Sequence, residues 1–226
     1  MKFIVIGLGY FGTTLAVNLT GQGHEVIGID NRWERIEELK DSITNVMEMD
    51  TTSEQAVKTL PLSDTDAVIV AIGEDVGSSI LTLSILKKMN VSHIIGRVIS
   101  PIHQDILHQI GIEETIHPEA ETAISIMSII QLRKAVKVTE IDRENVLAEI
   151  FVPEKYVGHT LDSINMGERF NLKLIAVKPE PAGKGLFALI KKDYLANFDY
   201  DPNKILKAKD ILVVVGKLSQ VKKLTD

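Results

Sequence analysis

The chain has 226 residues, 45% of them hydrophobic and 25% charged, with a net charge of −6 and no cysteine. That length can bury a full core as one large or two small domains, while the absence of cysteine excludes disulfides, a thiolate nucleophile and any cysteine-held metal. Residues 1–138 hold 11 basic and 18 acidic side chains, and residues 139–226 hold 14 and 13; an acidic first half excludes nucleic acid as a partner, which needs a basic stripe.

In chain order, the β-branched and aromatic run Phe3-Ile4-Val5-Ile6 predicts a first strand, over residues 2–6. It empties directly into Gly7, Gly9 and Gly12, and an apolar helix over 11–21 follows. A second strand, 25–29, ends in Asp30. Strand, glycine turn, helix and distal acid together predict a dinucleotide or adenine-nucleotide site. Gly7 makes the tight turn, Gly9 admits the phosphates close to the backbone, and Gly12 lets helix and strand lie together. The N–H groups at the helix start offer partial positive charge to a phosphate. Asp30 can accept hydrogen bonds from both ribose hydroxyls.

Further strands are predicted at 45–49, 66–72 and 93–98, with a short one at Glu114–Ile116, and helices at 31–40, 53–59, 76–89 and 101–110. This alternation calls for a parallel sheet with right-handed crossovers. Residues 118–135 form a helix opened by Pro118, with Glu119 and Glu121 in its first turn. Ala123, Ile124, Ile126, Met127, Ile129, Ile130 and Leu132 wrap most of it, so it is expected to pack on a second subunit. After Val138 strands are predicted at 146–152, 172–178, 186–190 and 211–215, with helices at 160–169 and the C-terminus, a small α+β unit. The longest apolar runs, Ala67–Ile72 and Ile211–Val215, are strand-sized and far below a bilayer span. A soluble, cytoplasmic protein with no direct membrane insertion is expected.

Several independent segments carry a family likeness. They are Val5-Ile6-Gly7-Leu8-Gly9-Tyr10-Phe11-Gly12, His24-Glu25-Val26 through Asp30, Asp66 to Gly73, and Gly111-Ile112 with Ile116-His117-Pro118-Glu119. In the second half they are Leu161 with Ile164-Asn165, and Lys209 to Gly216. On these the chain resembles the RCK-domain regulatory subunits of bacterial Ktr and Trk potassium transport systems, over its whole length. The resemblance implies a Rossmann-like nucleotide-binding lobe at 1–117, a crossover and dimerisation helix at 118–138, and an α+β C-terminal lobe at 139–226. It implies a homodimer-based ring, commonly an octamer, held at the inner membrane by a potassium-transporter subunit. Nucleotide exchange in the ring would gate that subunit.

The same resemblance assigns roles residue by residue. Gly7, Gly9, Tyr10, Phe11 and Gly12 cradle the phosphates, Asp30 holds the ribose, and Asn31 joins it in the cofactor site. Asp50, Thr51 and Thr52 line the adenine side, although Asp50 could equally N-cap the next helix. Ala71, Ile72 and Gly73 let the base or ribose approach, and Arg97 stands near the phosphates unless it makes only a surface ion pair. Glu119 matches a position that binds a divalent cation at the dimer seam of some relatives; the alternative is an acid that merely favours the helix start. Ktr-type relatives often carry Arg in place of Tyr10, reaching across the dimer to the γ-phosphate of ATP. Tyrosine brings no such charge, which leaves ATP or ADP and NAD(H) all open as ligands. Asp30 repels a 2′-phosphate, an effect Arg32 could soften. In some relatives the second lobe hosts a cyclic dinucleotide; Asn165 and Arg169 are plausible contacts, with Gly167 where some carry Arg.

Two other classes fit the residues. A small NAD-dependent oxidoreductase would need an acid or base beside the nicotinamide. Glu74 and Asp75 are the available groups, but nothing in the sequence orients them and helix capping explains them as well. A stand-alone nucleotide or redox sensor is the other.

Overall fold

The computed structural model describes residues 1–181 and 194–226. The chain divides into two compact units, Met1–Glu119 and Ala120–Asp226. The predicted strand at 186–190 lies outside the described residues.

In the first unit six parallel strands form one sheet: β1 (Lys2–Ile6), β2 (Glu25–Asp30), β3 (Asn45–Glu48), β4 (Ala67–Val70), β5 (Ile94–Arg97) and β6 (Glu114–Ile116). Their spatial order is β3-β2-β1-β4-β5-β6. Helices α1 (Tyr10–Gly21), α2 (Trp33–Leu39), α3 (Glu54–Val57), α4 (Val76–Lys88) and α5 (Pro101–Gln109) make the crossovers. Both faces of the sheet are covered, which is why β4 is buried at every position and could be written without polar alternation. Ile4, Ile6, Val68, Val70, Leu83 and Leu107 build one core and Val5, Leu8, Ala16, Val26, Ile69 and Ala71 the other. This is the Rossmann-like arrangement that the alternation predicts. Strand order reverses at β1, so the crevice at its carboxyl end, flanked by β2 and β4, is where such sheets take ligands.

The second unit holds an antiparallel sheet of β7 (Ala135–Glu140), β8 (Asn145–Phe151), β9 (Lys173–Lys178) and β10 (Ile211–Lys217), in the order β7-β8-β10-β9. Val146, Ala148, Ile150, Leu212, Val214 and Leu132 fill its core with side chains of α9 (Leu218–Thr225). The helix α6 (Pro118–Gln131) is shorter than the sequence predicts. Lys134 turns left-handed at φ 67° and Ala135 already begins β7, a strand hidden in the tail of the apolar pattern. The single helix predicted at 160–169 is two, α7 (Leu161–Ile164) and α8 (Met166–Phe170). Asn165 breaks them at φ 47°, ψ 58°, a conformation asparagine adopts more readily than other side chains.

Candidate functional site

The turn after β1 is built by contact. Gly7 sits at φ 91° with its N–H bonded to the Ile29 carbonyl at 2.7 Å, and a Cβ there would stand 2.9 Å from the Ile72 nitrogen. A Cβ on Gly12 would lie 1.9 Å from the Gly7 carbonyl oxygen, so only glycine lets α1 pack onto the turn. Gly9 is different: a Cβ there would meet nothing within 4 Å. Gly9 is also the N-cap of α1, with no side chain to cap it. The first turn of α1 therefore presents N–H groups beside open space, which fits the phosphate of a nucleotide. Tyr10 is 92% exposed and Phe11 half-buried.

Asp30, at the end of β2, is 5% exposed and fully engaged. Its Oδ2 accepts the Leu8 N–H at 2.7 Å and Arg32 Nη2 at 3.3 Å, while its Oδ1 accepts Arg32 Nε at 2.9 Å and the Arg32 N–H at 3.0 Å. Burial pushes this carboxyl up, but the Arg32 side chain and the two backbone N–H groups outweigh it and hold its pKa below the ordinary value. Asp30 thus pins the glycine turn to β2, a structural role the spacing did not reveal. Arg32 Nη1 reaches on to Glu74, at 3.5 Å, in the loop after β4. Asn31 is exposed.

Opposite, Ala71 is buried and Ile72 and Gly73 half-buried in the same loop. Arg97, at the end of β5, lies beneath Gly73, whose Cβ would fall 2.6 Å from Nη1. Its Nη1 donates to the Ala71 carbonyl at 3.2 Å, its Nη2 pairs with Glu119, and its guanidinium carbon sits 5.6 Å from the centre of the Phe11 ring. The residue expected at the phosphates and the residue expected at a cation are therefore partners. Burial raises the Glu119 pKa, and the bond from Arg97 more than reverses this, leaving it lowered. The Nε of Arg97 is buried and has no hydrogen-bond partner among the described residues. Asp50 does not cap α3. Its Oδ1 takes the Thr52 N–H and hydroxyl at 2.9 and 2.7 Å, and Ser53 caps the helix through the Ala56 N–H. Thr51 is buried and its hydroxyl meets that of Thr82 on α4 at 2.9 Å, so it faces inward. Asp75 is the N-cap of α4, accepting the Ser78 N–H at 3.1 Å. That capping role takes one of the two acids an oxidoreductase could have used.

Residues 3–118 match the TrkA-N domain. The Ktr system potassium uptake protein C of Bacillus subtilis (strain 168) is 30% identical over 220 residues, 97% of this chain and 94% of that protein. The chain belongs to the TrkA-N domain family. The RCK domain of GsuK superposes with a TM-score of 0.65 at 16% identity, over 99% of this chain, and a GsuK channel bound to NAD at 0.64. This TrkA-N chain spans 47% and 38% of the lengths of those two GsuK chains, and the likeness is one of fold.

Outside the cleft, α6 of this TrkA-N chain carries four exposed large apolar side chains. Ile124, Ile126, Met127 and Ile130 are 43%, 50%, 49% and 77% exposed, whereas Ser128 and Leu132 are buried and Ile129 joins the second core. In the second unit Asn165 donates to Glu168 at 2.6 Å and Arg169 stacks on Phe170, 5.4 Å from the ring centre. Among the described residues no three His, Asp or Glu side chains group as metal ligands, and no helix is long and apolar enough to cross a membrane.

Proposed function

We propose that this chain is the nucleotide-sensing regulatory subunit of a potassium uptake system, acting on a membrane-embedded potassium-conducting partner. The observation that carries the reading is the match to a Ktr potassium uptake protein along nearly the whole of both chains. The ligand enters the crevice over β1. Its phosphates take the N–H groups around Gly9, Tyr10, Phe11 and Gly12, and its ribose takes Asp30 beside Asn31. Asp50, Ala71, Ile72 and Gly73 line the remaining walls.

An adenine nucleotide, ATP or ADP, and NAD(H) all meet this chemistry. NAD is the ligand named for one GsuK channel of the same fold. Exposed Tyr10 supplies no charge to a terminal phosphate, and Arg97 is tied to Glu119 and the Ala71 carbonyl. The site therefore grips the inner phosphates better than a γ-phosphate. A divalent cation at Glu119 would have to compete with Arg97 for the carboxylate.

The exposed face of α6 seats a second copy, and such dimers build the ring docked under the membrane subunit. Catalysis is not part of this reading, because Asp75 caps a helix and Glu74 is held by Arg32. Ligand-dependent control requires that two nucleotides make different contacts in two ring states. The test is to co-express the chain with a Ktr-type membrane subunit and purify the complex. Potassium flux into vesicles is then measured with ATP, ADP, NAD+ and NADH in turn. A flux that changes by severalfold between ligands is expected. A chain that neither co-purifies nor alters flux, or one that turns over NADH with small keto acids, would overturn the reading.

A further inference from the structure

A carboxylate offers about four lone-pair positions, and in Asp30 all four are filled: one by the Leu8 N–H, one by the Arg32 N–H and two by the Arg32 side chain. The backbone bonds belong to the fold of the glycine turn. The two from the guanidinium do not; they occupy the positions that the hydroxyls of a ribose would need. Arg32 also reaches past Asp30 to Glu74 at 3.5 Å. Asp30 ends β2 and Glu74 follows β4, and these strands flank β1 on either side. The side chain therefore lies across the mouth of the crevice, anchored at a buried acid inside and at an acid 85% exposed outside.

We infer that Arg32 is a displaceable strap over the ribose site, an intramolecular competitor that sets the affinity and selectivity of the nucleotide site. This rests on the assignment of the crevice to an adenine nucleotide and adds to it a specificity-determining residue. A ligand with an intact ribose diol binds only when the guanidinium leaves two Asp30 positions. The measured affinity is then the intrinsic one multiplied by the fraction of molecules with the strap open. Departure of Arg32 also releases Glu74, so ribose binding is coupled to the loop after β4. A planar fork with fixed donor geometry suits this role, since Arg32 holds the carboxylate through Nε and Nη2 together, which lysine cannot imitate.

The experiment measures calorimetric affinities of the full chain for ADP, NAD+, NADP+ and 2′,3′-dideoxy-ADP, with Arg32→Ala and Glu74→Gln beside the wild type. Arg32→Ala should bind ADP and NAD+ roughly tenfold more tightly, as expected if the open strap is about a tenth of the population. The dideoxy analogue, with no diol to place on Asp30, should gain nothing. Glu74→Gln cuts only the outer anchor and should give a smaller gain in the same direction. If Arg32→Ala does not fold, Arg32→Gln keeps the stem without the fork and carries the same expectation. A variant that binds ADP no more tightly than wild type overturns the strap while leaving the nucleotide site in place. Equal gains for ADP and its dideoxy analogue overturn it too, as does a selective loss of NADP+, which would make Arg32 a reader of a 2′-phosphate. If wild type and variants alike ignore all four ligands, the nucleotide reading itself falls with it.

Discussion

His103 shows what a single buried group does to this molecule. It sits on α5 at 1% exposure, both ring nitrogens lack a hydrogen-bond partner among the described residues, and burial alone holds its pKa below the ordinary 6.5. The native ring stays neutral where the unfolded ring would take up a proton. Stability must therefore fall as pH drops through about 6.5 and level off only below the native pKa, by about 1.4 kcal/mol for each unit between the two values. His103→Leu removes both the titration and two unsatisfied nitrogens. Urea unfolding at pH 7 and pH 5 should show a marked loss for the wild type and a smaller one for the variant; equal losses would show that His103 is not the group responsible. None of this was legible in the sequence, where His103 is one of six histidines. The placement of Gly7, Gly9, Gly12 and Asp30 around one turn was legible, because it follows from local spacing along one βαβ unit, whereas the bonds of Asp30 to Leu8 and Arg32 were not. The Arg97–Glu119 pair was not, since 22 residues separate them and the contact depends on β5 and β6 ending side by side, Arg97 opposite Ile116. The two-residue reach from Arg32 to Asp30 was equally hidden, being a matter of rotamer rather than spacing.

At the scale of elements, strands buried on both faces were easy to read and helix ends were not. Lys134 ends the α6 segment in a left-handed turn without the glycine or asparagine that normally marks one, so β7 was absorbed into the apparent helix. Asn165 does mark its turn, yet the continuous pattern Leu161, Ile164, Met166 outweighed it. The apolar character of α6 was plain from composition, and its consequence can be tested. Exposed apolar surface costs about 25 cal/mol per Å² in water, so the face formed by Ile124, Ile126, Met127 and Ile130 favours burial against a second copy. Lysine at both Ile126 and Ile130, which are 50% and 77% exposed, places charge on that face while leaving buried Leu132 and half-buried Ile129 untouched. Light scattering at micromolar concentration should show the wild type as a dimer or larger and the double variant as a monomer with an unchanged circular dichroism spectrum. A wild-type monomer would remove α6 as an assembly surface.

For the whole molecule, the proposed sensing site and the proposed assembly face fall in different units, each with its own sheet and core. A regulator needs both, because a ligand can shift an assembly only through differential affinity for its states. The two should therefore be separable by substitution. Gly9→Val is the clean lesion on the sensing side: Gly9 has φ −67°, which valine tolerates, and apart from its own residue and chain neighbours the new Cβ meets nothing within 4 Å. The valine then projects into the space the phosphates use, so the fold survives while nucleotide binding weakens at least tenfold, the equivalent of about 1.4 kcal/mol. Gly12 would be the wrong choice, since its Cβ collides with the Gly7 carbonyl and the fold itself would suffer. With the membrane subunit present, the Gly9→Val chain should assemble normally, with potassium flux fixed at one level whatever nucleotide is added. The Ile126→Lys, Ile130→Lys chain should bind nucleotide with wild-type affinity and fail to control flux. Calorimetry, light scattering and vesicle flux on the same three proteins give the comparison. If Gly9→Val still responds to nucleotide, the ligand does not act through the glycine turn. If the lysine variant still controls flux, coupling does not run through α6.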